Sequence, residues 1–322
     1  MNKPSFDLVP RKYSVAEEFK LPVPPAVLIE GFEPGHPAVP KVNPHYVFLP
    51  DKMRDLLAFW QSRELALKII GDPAAGKTSL VQQFHARLRW PLYMVSCSPT
   101  TESRELMGQL MPVADGTLRW VDGPILKAAR EGTSVLLDEY NILEPGEASG
   151  LNMILEGYPV TIAATGETVY PHPRFKVFAT ENNVMSRLSV AGRNVQDVAN
   201  DDRFMITTAD YLPAQIETEM VSSVLQSEGV PPDQAQMTAE QVVNVANQVR
   251  AAYRTGTGIV DKPMSTRSVF RWARLIRRFA HVKDADGPVV YAVRRAFQMH
   301  ADLDEQVTKY IQLALGTGNA AP

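Results

Sequence analysis

An apolar run, Leu65-Ala66-Leu67-Lys68-Ile69-Ile70, leads without a break into Gly71-Asp72-Pro73-Ala74-Ala75-Gly76-Lys77-Thr78. The octapeptide fits G-x-x-x-x-G-K-[ST] at every fixed position, in the strand–loop–helix setting that gives the pattern its meaning. Small residues let the loop's amides turn inward, and a helix starting near Gly76 points its positive dipole end at the same spot. A phosphate group belongs there. Lys77 can reach the outer phosphates of a nucleotide and the Thr78 hydroxyl can ligate Mg²⁺. With Ser79, which follows directly, residues 71–79 are the candidate nucleotide-binding stretch.

A phosphate loop binds without necessarily cleaving, and a second motif bears on that choice. Ser134-Val135-Leu136-Leu137-Asp138-Glu139 is an apolar strand ending in two adjacent acids. In a parallel sheet the strand's C-terminal tip lies beside the phosphate loop, so Asp138 is the candidate metal-holding group. Glu139 is the candidate for polarising an attacking water. Further strands are expected at Leu92–Ser96, Phe175–Ala179 and Phe204–Thr207, with helical stretches between several of them, which makes residues 46–212 an α/β core around a parallel sheet. From Pro213 onward only helical spacing remains, in 213–227, 239–253, 265–280 and 289–315, the last broken near Asp302. The chain therefore reads as an α/β core followed by a C-terminal helical domain, residues 213–322.

Ten of the 25 prolines fall in the first 50 residues. Proline lacks an amide donor and fixes φ, so residues 1–45 are expected to form an extended arm without regular helix or central strand. Two readings stand side by side: a disordered tail, or an arm packed on a neighbouring subunit through Val23, Val27, Leu28, Ile29 and Phe32. The net charge of −3 argues against a protein that binds nucleic acid over its whole surface. The single cysteine, Cys97, excludes an intrachain disulfide and reads as a buried filler. No apolar run is long enough to span a bilayer and Met1–Pro10 has no signal-peptide character, so a cytoplasmic setting without a membrane is expected. The six histidines lack metal-ligand spacing and are read as structural or surface groups.

Three weaker positions follow the two motifs in order. Asn182 ends the Phe178-Ala179-Thr180-Glu181-Asn182 strand and could orient a water. Arg203 stands in Asp201-Asp202-Arg203-Phe204, and Arg267 in Ser265-Thr266-Arg267 at the start of a helix. Singly, each is an ordinary strand-end or surface group. With Trp120-Val121-Asp122-Gly123-Pro124, Asp138-Glu139-Tyr140, Pro171-His172-Pro173-Arg174-Phe175 and Met264-Ser265-Thr266-Arg267-Ser268, they make the chain resemble the MoxR branch of the AAA+ ATPases. Within that branch it is similar to the CobS-type ATPase subunits of aerobic cobaltochelatase, from about Pro22 to the last helix.

That resemblance implies a P-loop NTPase fold of AAA+ type with a helical lid, Mg²⁺-dependent ATP hydrolysis, and a homo-oligomeric ring, commonly a hexamer, with ATP at subunit interfaces. It implies that Arg203 is an arginine finger acting on the neighbour's γ-phosphate and that Arg267 is a second sensor closing the lid. It also implies a partner protein, of the metal-ion-dependent von Willebrand A type. Two hairpins are expected, around Val113–Trp120 with an Asp115-Gly116 turn and around Val160–Val169 with Thr165-Gly166. They face a pore or partner, or are plain surface hairpins. The loop interior Asp72–Ala75 and the stretch Val184–Asn200 depart from chelatase wording, which bears on the tetrapyrrole substrate rather than on ATP chemistry.

Arg267, Arg271, Arg274 and Arg278 form a stripe opposite Trp272, Ile276 and Phe279. It reads as a solvated face, an acid-pairing surface between subunits, or a nucleic-acid contact. A nucleic-acid translocase or restriction-type motor on the same fold is the rival function, disfavoured because the first hairpin offers only Arg119 as a base and the second none. A non-hydrolysing nucleotide scaffold is the third reading, disfavoured by the Asp138-Glu139 pair.

Overall fold

The computed structural model describes residues 8–114, 116–183, 201–256 and 260–314. Met1–Asp7, the turn residue Asp115, the stretch Val184–Asn200 and Leu315, each part of an expectation above, lie outside the described residues. The chain divides into two compact units, one holding residues 8–71, 76–182 and 201–209, the other holding 72–75, 183 and 210–314.

In the first unit, β1 (Pro10–Ser14) and β2 (Leu28–Phe32) pair antiparallel on either side of the short helix α1 (Val15–Phe19). Helix α2 (Pro50–Gln61) precedes β3 (Ala66–Gly71), α3 (Lys77–Leu88) and β4 (Leu92–Ser96). After the hairpin β5 (Gly108–Pro112) and β6 (Leu118–Asp122) come α4 (Pro124–Glu131) and β7 (Ser134–Asp138). A second hairpin, β8 (Val160–Thr161) with β9 (Thr168–Val169), precedes β10 (Lys176–Asn182) and β11 (Met205–Ala209). Strands β11, β3, β10, β7 and β4 form one sheet in that order, every neighbouring pair parallel. These are the five strands expected from the apolar runs, and the fold is a P-loop NTPase α/β core.

Side chains alternate across this sheet. Leu67, Ile69, Leu136 and Phe178 point to the face covered by α3, with Phe84 and Leu88. Ala66, Val135, Leu137, Val177 and Ala179 point to the other face, against Tyr140, Ile125 and Phe204. This alternation decides which polar residues at the strand ends meet the phosphate loop.

The N-terminal segment is not the extended arm that its prolines predict. Residues 10–32 contain two strands and a helical turn, and they pack on their own chain. Tyr13, Val15, Phe19, Ile29 and Phe32 are buried in the same core as Phe84 and Trp90. Phe19 stacks on Phe84 with centroids 5.4 Å apart, and Phe32 lies 4.2 Å from Trp90. The prolines exclude a long helix or central strand, but not a five-residue edge hairpin. The apolar residues that pointed to a neighbouring subunit instead fill the protomer's own core, except Val27 and Leu28, which are exposed.

The second unit is helical. Ala214–Ser227 (α5), Pro232–Thr255 (α6), Thr266–Arg278 (α7), Gly287–Ala296 (α8) and Ala301–Ala314 (α9) surround one apolar cluster that includes Val242, Val249, Trp272, Val293 and Val307. Ser265 caps α7 by accepting the Ser268 amide. The break expected near Asp302 falls between α8 and α9. Glu217 and Arg250, both almost fully buried, form a two-pronged ion pair at 2.6 and 2.9 Å, and Arg250 Nε also donates to the Met264 carbonyl at 2.8 Å. No described helix is long and apolar enough to cross a membrane.

Candidate functional site

The loop leaves β3 at Gly71 and enters α3 at Lys77. Gly71 has no room for a side chain, since a Cβ there would lie 2.2 Å from the Ala209 carbonyl of the adjacent strand. Gly76 takes φ 86°, the left-handed turn that starts the helix, and the space a Cβ would occupy is open. Lys77 is buried although it is a lysine. Its Nζ donates to the Gly71 carbonyl at 3.0 Å and to Asn182 Oδ1 at 2.9 Å. The motif lysine and the β10 strand-end asparagine therefore meet directly.

Asp138 ends β7 on the α3 face of the sheet. Its Oδ1 accepts from the Thr78 hydroxyl at 2.7 Å and also from the Thr180 hydroxyl. The Thr180 oxygen in turn accepts the Glu139 amide at 2.9 Å. Glu139 adopts φ 59°, ψ 42°, a left-handed conformation rare for a residue with a side chain. The hydrogen bond to Thr180 holds this turn, and Glu139 stays exposed while Tyr140 is buried beneath it. Strain held by a neighbouring strand at a strand tip is characteristic of functional positions. Thr180 is the residue the motif reading passed over. It lies within the quoted Phe178–Asn182 stretch, two positions before Asn182, and so on the same face of β10.

Cys97 sits behind this cluster with its amide bonded to the Asp138 carbonyl at 2.9 Å. Burial pushes its thiol up to about 12, with the Asp138 and Glu139 carboxylates adding to the rise. A thiol so placed is a filler rather than a nucleophile.

The crest of the loop, Asp72–Ala75, groups with the helical unit. There the Tyr211 hydroxyl donates to the Pro73 carbonyl at 2.8 Å. Arg254 Nε donates to Asp72 Oδ2 at 2.7 Å, and the same guanidinium pairs with Asp210. Neither Arg254 nor Tyr211 belongs to a recognisable motif. Arg203 lies at the turn before β11, partly buried, with Nε on the Glu156 carboxylate. Arg267 is exposed in the first turn of α7 in the helical unit. Ser79 is half-buried in the first turn of α3.

The donor set suits a hydrated divalent cation: one hydroxyl and one carboxylate, both hard oxygens, with open space over Gly76. A bound Mg²⁺ supplies charge neutralisation of phosphate oxygens, and Thr78 and Asp138 are the residues that would hold it. Lys77 has its ammonium turned among oxygen acceptors, the Gly71 carbonyl and Asn182 Oδ1.

Both hairpins form. Between β5 and β6 the turn closes through Val113 N to Thr117 O at 2.9 Å, with Gly116 at φ 79°. Leu110, Met111, Leu118 and Val121 are exposed on this hairpin, so its display is apolar. On α7, Arg267, Arg271, Arg274 and Arg278 are exposed while Trp272 is buried, so the stripe and core faces separate as expected. Arg278 lies 3.8 Å from Glu228, and Arg271 donates to the Ala296 carbonyl at 3.4 Å.

Residues 66–204 match the AAA domain of the dynein-related subfamily, and residues 222–313 match the CbbQ/NirQ/NorQ C-terminal domain. Among curated proteins, the aerobic cobaltochelatase subunit CobS of a Sinorhizobium species is 27% identical over 299 residues, covering 89% of this chain and 86% of that protein. Midasin of Dictyostelium discoideum is 26% identical over 242 residues, 73% of this chain but 4% of midasin. An uncharacterized protein of Staphylococcus haemolyticus (strain JCSC1435) is 26% identical over 213 residues, 64% of this chain and 76% of that protein.

Proposed function

We propose that the chain, whose residues 66–204 match the AAA domain of the dynein-related subfamily and whose residues 222–313 match the CbbQ/NirQ/NorQ C-terminal domain, is an ATPase that works as a homo-oligomeric ring motor and drives a partner protein. ATP is the substrate, held by residues 71–79. Thr78 and Asp138 hold Mg²⁺, Glu139 takes a proton from the attacking water, and Asn182 aligns that water while sharing Lys77. Arg203 acts across the interface on the neighbouring subunit's γ-phosphate, and Arg267 is the second sensor.

The observation that carries this reading is the convergence of Lys77, Thr78, Asp138 and Asn182 from three separate elements within hydrogen-bond reach. A solvated acidic pair would not be tied to the phosphate-loop threonine. Arg203, partly buried with its Nε on the Glu156 carboxylate, is the arginine this reading assigns to action in trans. The apolar display of the β5–β6 hairpin favours a protein partner over nucleic acid. CobS is by its name one subunit of a cobaltochelatase, and a chelatase-like large subunit or a von Willebrand A-type protein is the partner proposed here.

The test is steady-state ATPase activity of wild type, Glu139→Gln and Arg203→Ala, with particle mass measured in the presence of ATP. Both variants are expected to lose at least about a hundredfold in turnover, within the range seen for such groups, while still binding ATP. Normal turnover in both refutes the assignment, and a particle that stays monomeric with ATP refutes the ring. Proteins retained by the ATP-loaded Glu139→Gln variant identify the partner.

A further inference from the structure

Lys68 lies in the middle of β3, between Ala179 of β10 and Ile206 of β11, and is 0% exposed. It points to the face opposite the phosphate loop. A buried ammonium is costly unless it is paired. Its Nζ forms ion pairs with Glu181 at 3.2 Å and with Asp201, and it lies 5.5 Å from the Tyr140 ring centroid and 4.9 Å from that of Phe204. Both rings are close enough for cation–π attraction.

Each of these four partners lies within two positions of a residue assigned above. Tyr140 follows Glu139. Glu181 precedes Asn182 on β10, and strand alternation sends the two to opposite faces, one to Lys68 and one to Lys77. Asp201 and Phe204 bracket Arg203, in a turn closed by Phe204 N to Asp201 O at 3.1 Å. One ammonium thus holds both ends of the turn that carries the arginine and ties it to the strand that carries the asparagine.

Resting on the reading of Arg203 as a finger in trans, we propose that Lys68 is the positioning residue for Arg203, fixing the Asp201–Phe204 turn from beneath so that the arginine is set for the neighbouring subunit. An apolar side chain at the centre of β3 would fill the space at lower desolvation cost. What the charge adds is a fixed place for Asp201 and Phe204. Without it, the Glu181 and Asp201 carboxylates face each other unneutralised and the turn is released. The subunit's own Lys77, Thr78, Asp138 and Asn182 lie on the far face and keep their contacts.

The experiment uses mixed assemblies of the full chain. Lys68→Met alone is expected to lower turnover at least about tenfold while ATP affinity stays within about twofold of wild type, as befits loss of a correctly placed finger. Mixed with Glu139→Gln subunits, it is expected to regain activity. The Glu139→Gln chain has an intact finger, and the Lys68→Met chain an intact nucleotide site. A merely structural lysine gives no such rescue. Arg203→Ala mixed with Glu139→Gln is the reference. If that reference shows no rescue, the trans reading itself fails. If it does show rescue and Lys68→Met does not, or if Lys68→Met alone is fully active, the positioning role is overturned. Should Lys68→Met not fold, Asp201→Asn, at a partly exposed position, is put through the same mixture and judged by the same outcomes.

Discussion

Lowering the pH should loosen the helix that follows the phosphate loop, through His85. This residue is fully buried in α3, with Nδ1 2.8 Å from the Val81 carbonyl and its ring packed edge-on against Phe178 at 4.9 Å and Trp60 at 5.6 Å. The Nδ1–H donates to that carbonyl, and the rest of the ring lies among aromatic faces. Burial holds its pKa down at about 4, against an ordinary 6.5. Between those values the unfolded chain takes up a proton that the folded chain refuses. The contribution of the neutral ring is therefore whole above the unfolded value and is lost as pH falls towards the folded one. The full effect is about 3 kcal/mol, of which about 2 kcal/mol is lost between about pH 7 and about pH 5. Urea unfolding of wild type and His85→Gln at both pH values measures it, because subtracting the variant's pH dependence cancels all other titrating groups. The wild type should lose about 2 kcal/mol more than the variant. An excess below about 0.5 kcal/mol, a quarter of the linkage value, refutes the reasoning.

Thr180→Val removes a donor to Asp138 and the acceptor for the Glu139 amide; turnover should fall about ten- to a hundredfold with ATP still bound, as for other groups that orient metal ligands, and unchanged turnover across a Mg²⁺ titration rejects it. Glu217→Ala strands the Arg250 guanidinium in the helical unit and should cost about 3–5 kcal/mol in urea unfolding; a loss below about 1 kcal/mol, the size of an exposed pair, rejects it. Gly71→Ala forces a methyl against the Ala209 carbonyl and should lower both the thermal midpoint and ATP affinity, with wild-type values in both counting against the close approach. Cys97, its thiol pushed up to about 12, should alkylate at least about a hundredfold more slowly in the folded chain at about pH 8 than in urea, and equal rates reject its burial.

The five parallel strands were legible because each is a short apolar run bounded by polar residues, and their C-terminal ends carry the motif residues. Lys77, Thr78 and Asp138 were legible as a set because the motif fixes a local strand–loop–helix and the sheet then brings the other strand tip beside it. Thr180 was within reach of the same logic, since alternation along β10 places residues 178, 180 and 182 on one face. Lys68 was not. A lysine in an apolar run carries no periodic mark, and its carboxylate partners come from the end of β10 and the turn before β11, far along the chain. Arg254 was hidden for a similar reason, since its partner Asp72 is a loop residue whose side chain the motif leaves unspecified. The N-terminal hairpin is hidden because proline density masks the apolar residues between the prolines. A five-residue strand needs little freedom from proline, and Tyr13, Phe19 and Phe32 were enough to bury it.

The family pattern begins at residue 66, but the interior it belongs to begins at Tyr13. Cutting the chain where the AAA domain match starts would bare the rings of Phe84 and Trp90, and with them the flank of the helix that presents Lys77 and Thr78. A fragment designed on motif limits would then be sticky before it was inactive, and its failure to turn over ATP would say nothing about the motif. The functional border and the folding border of this ATPase are different lines, and it is the second that a cloning strategy has to respect.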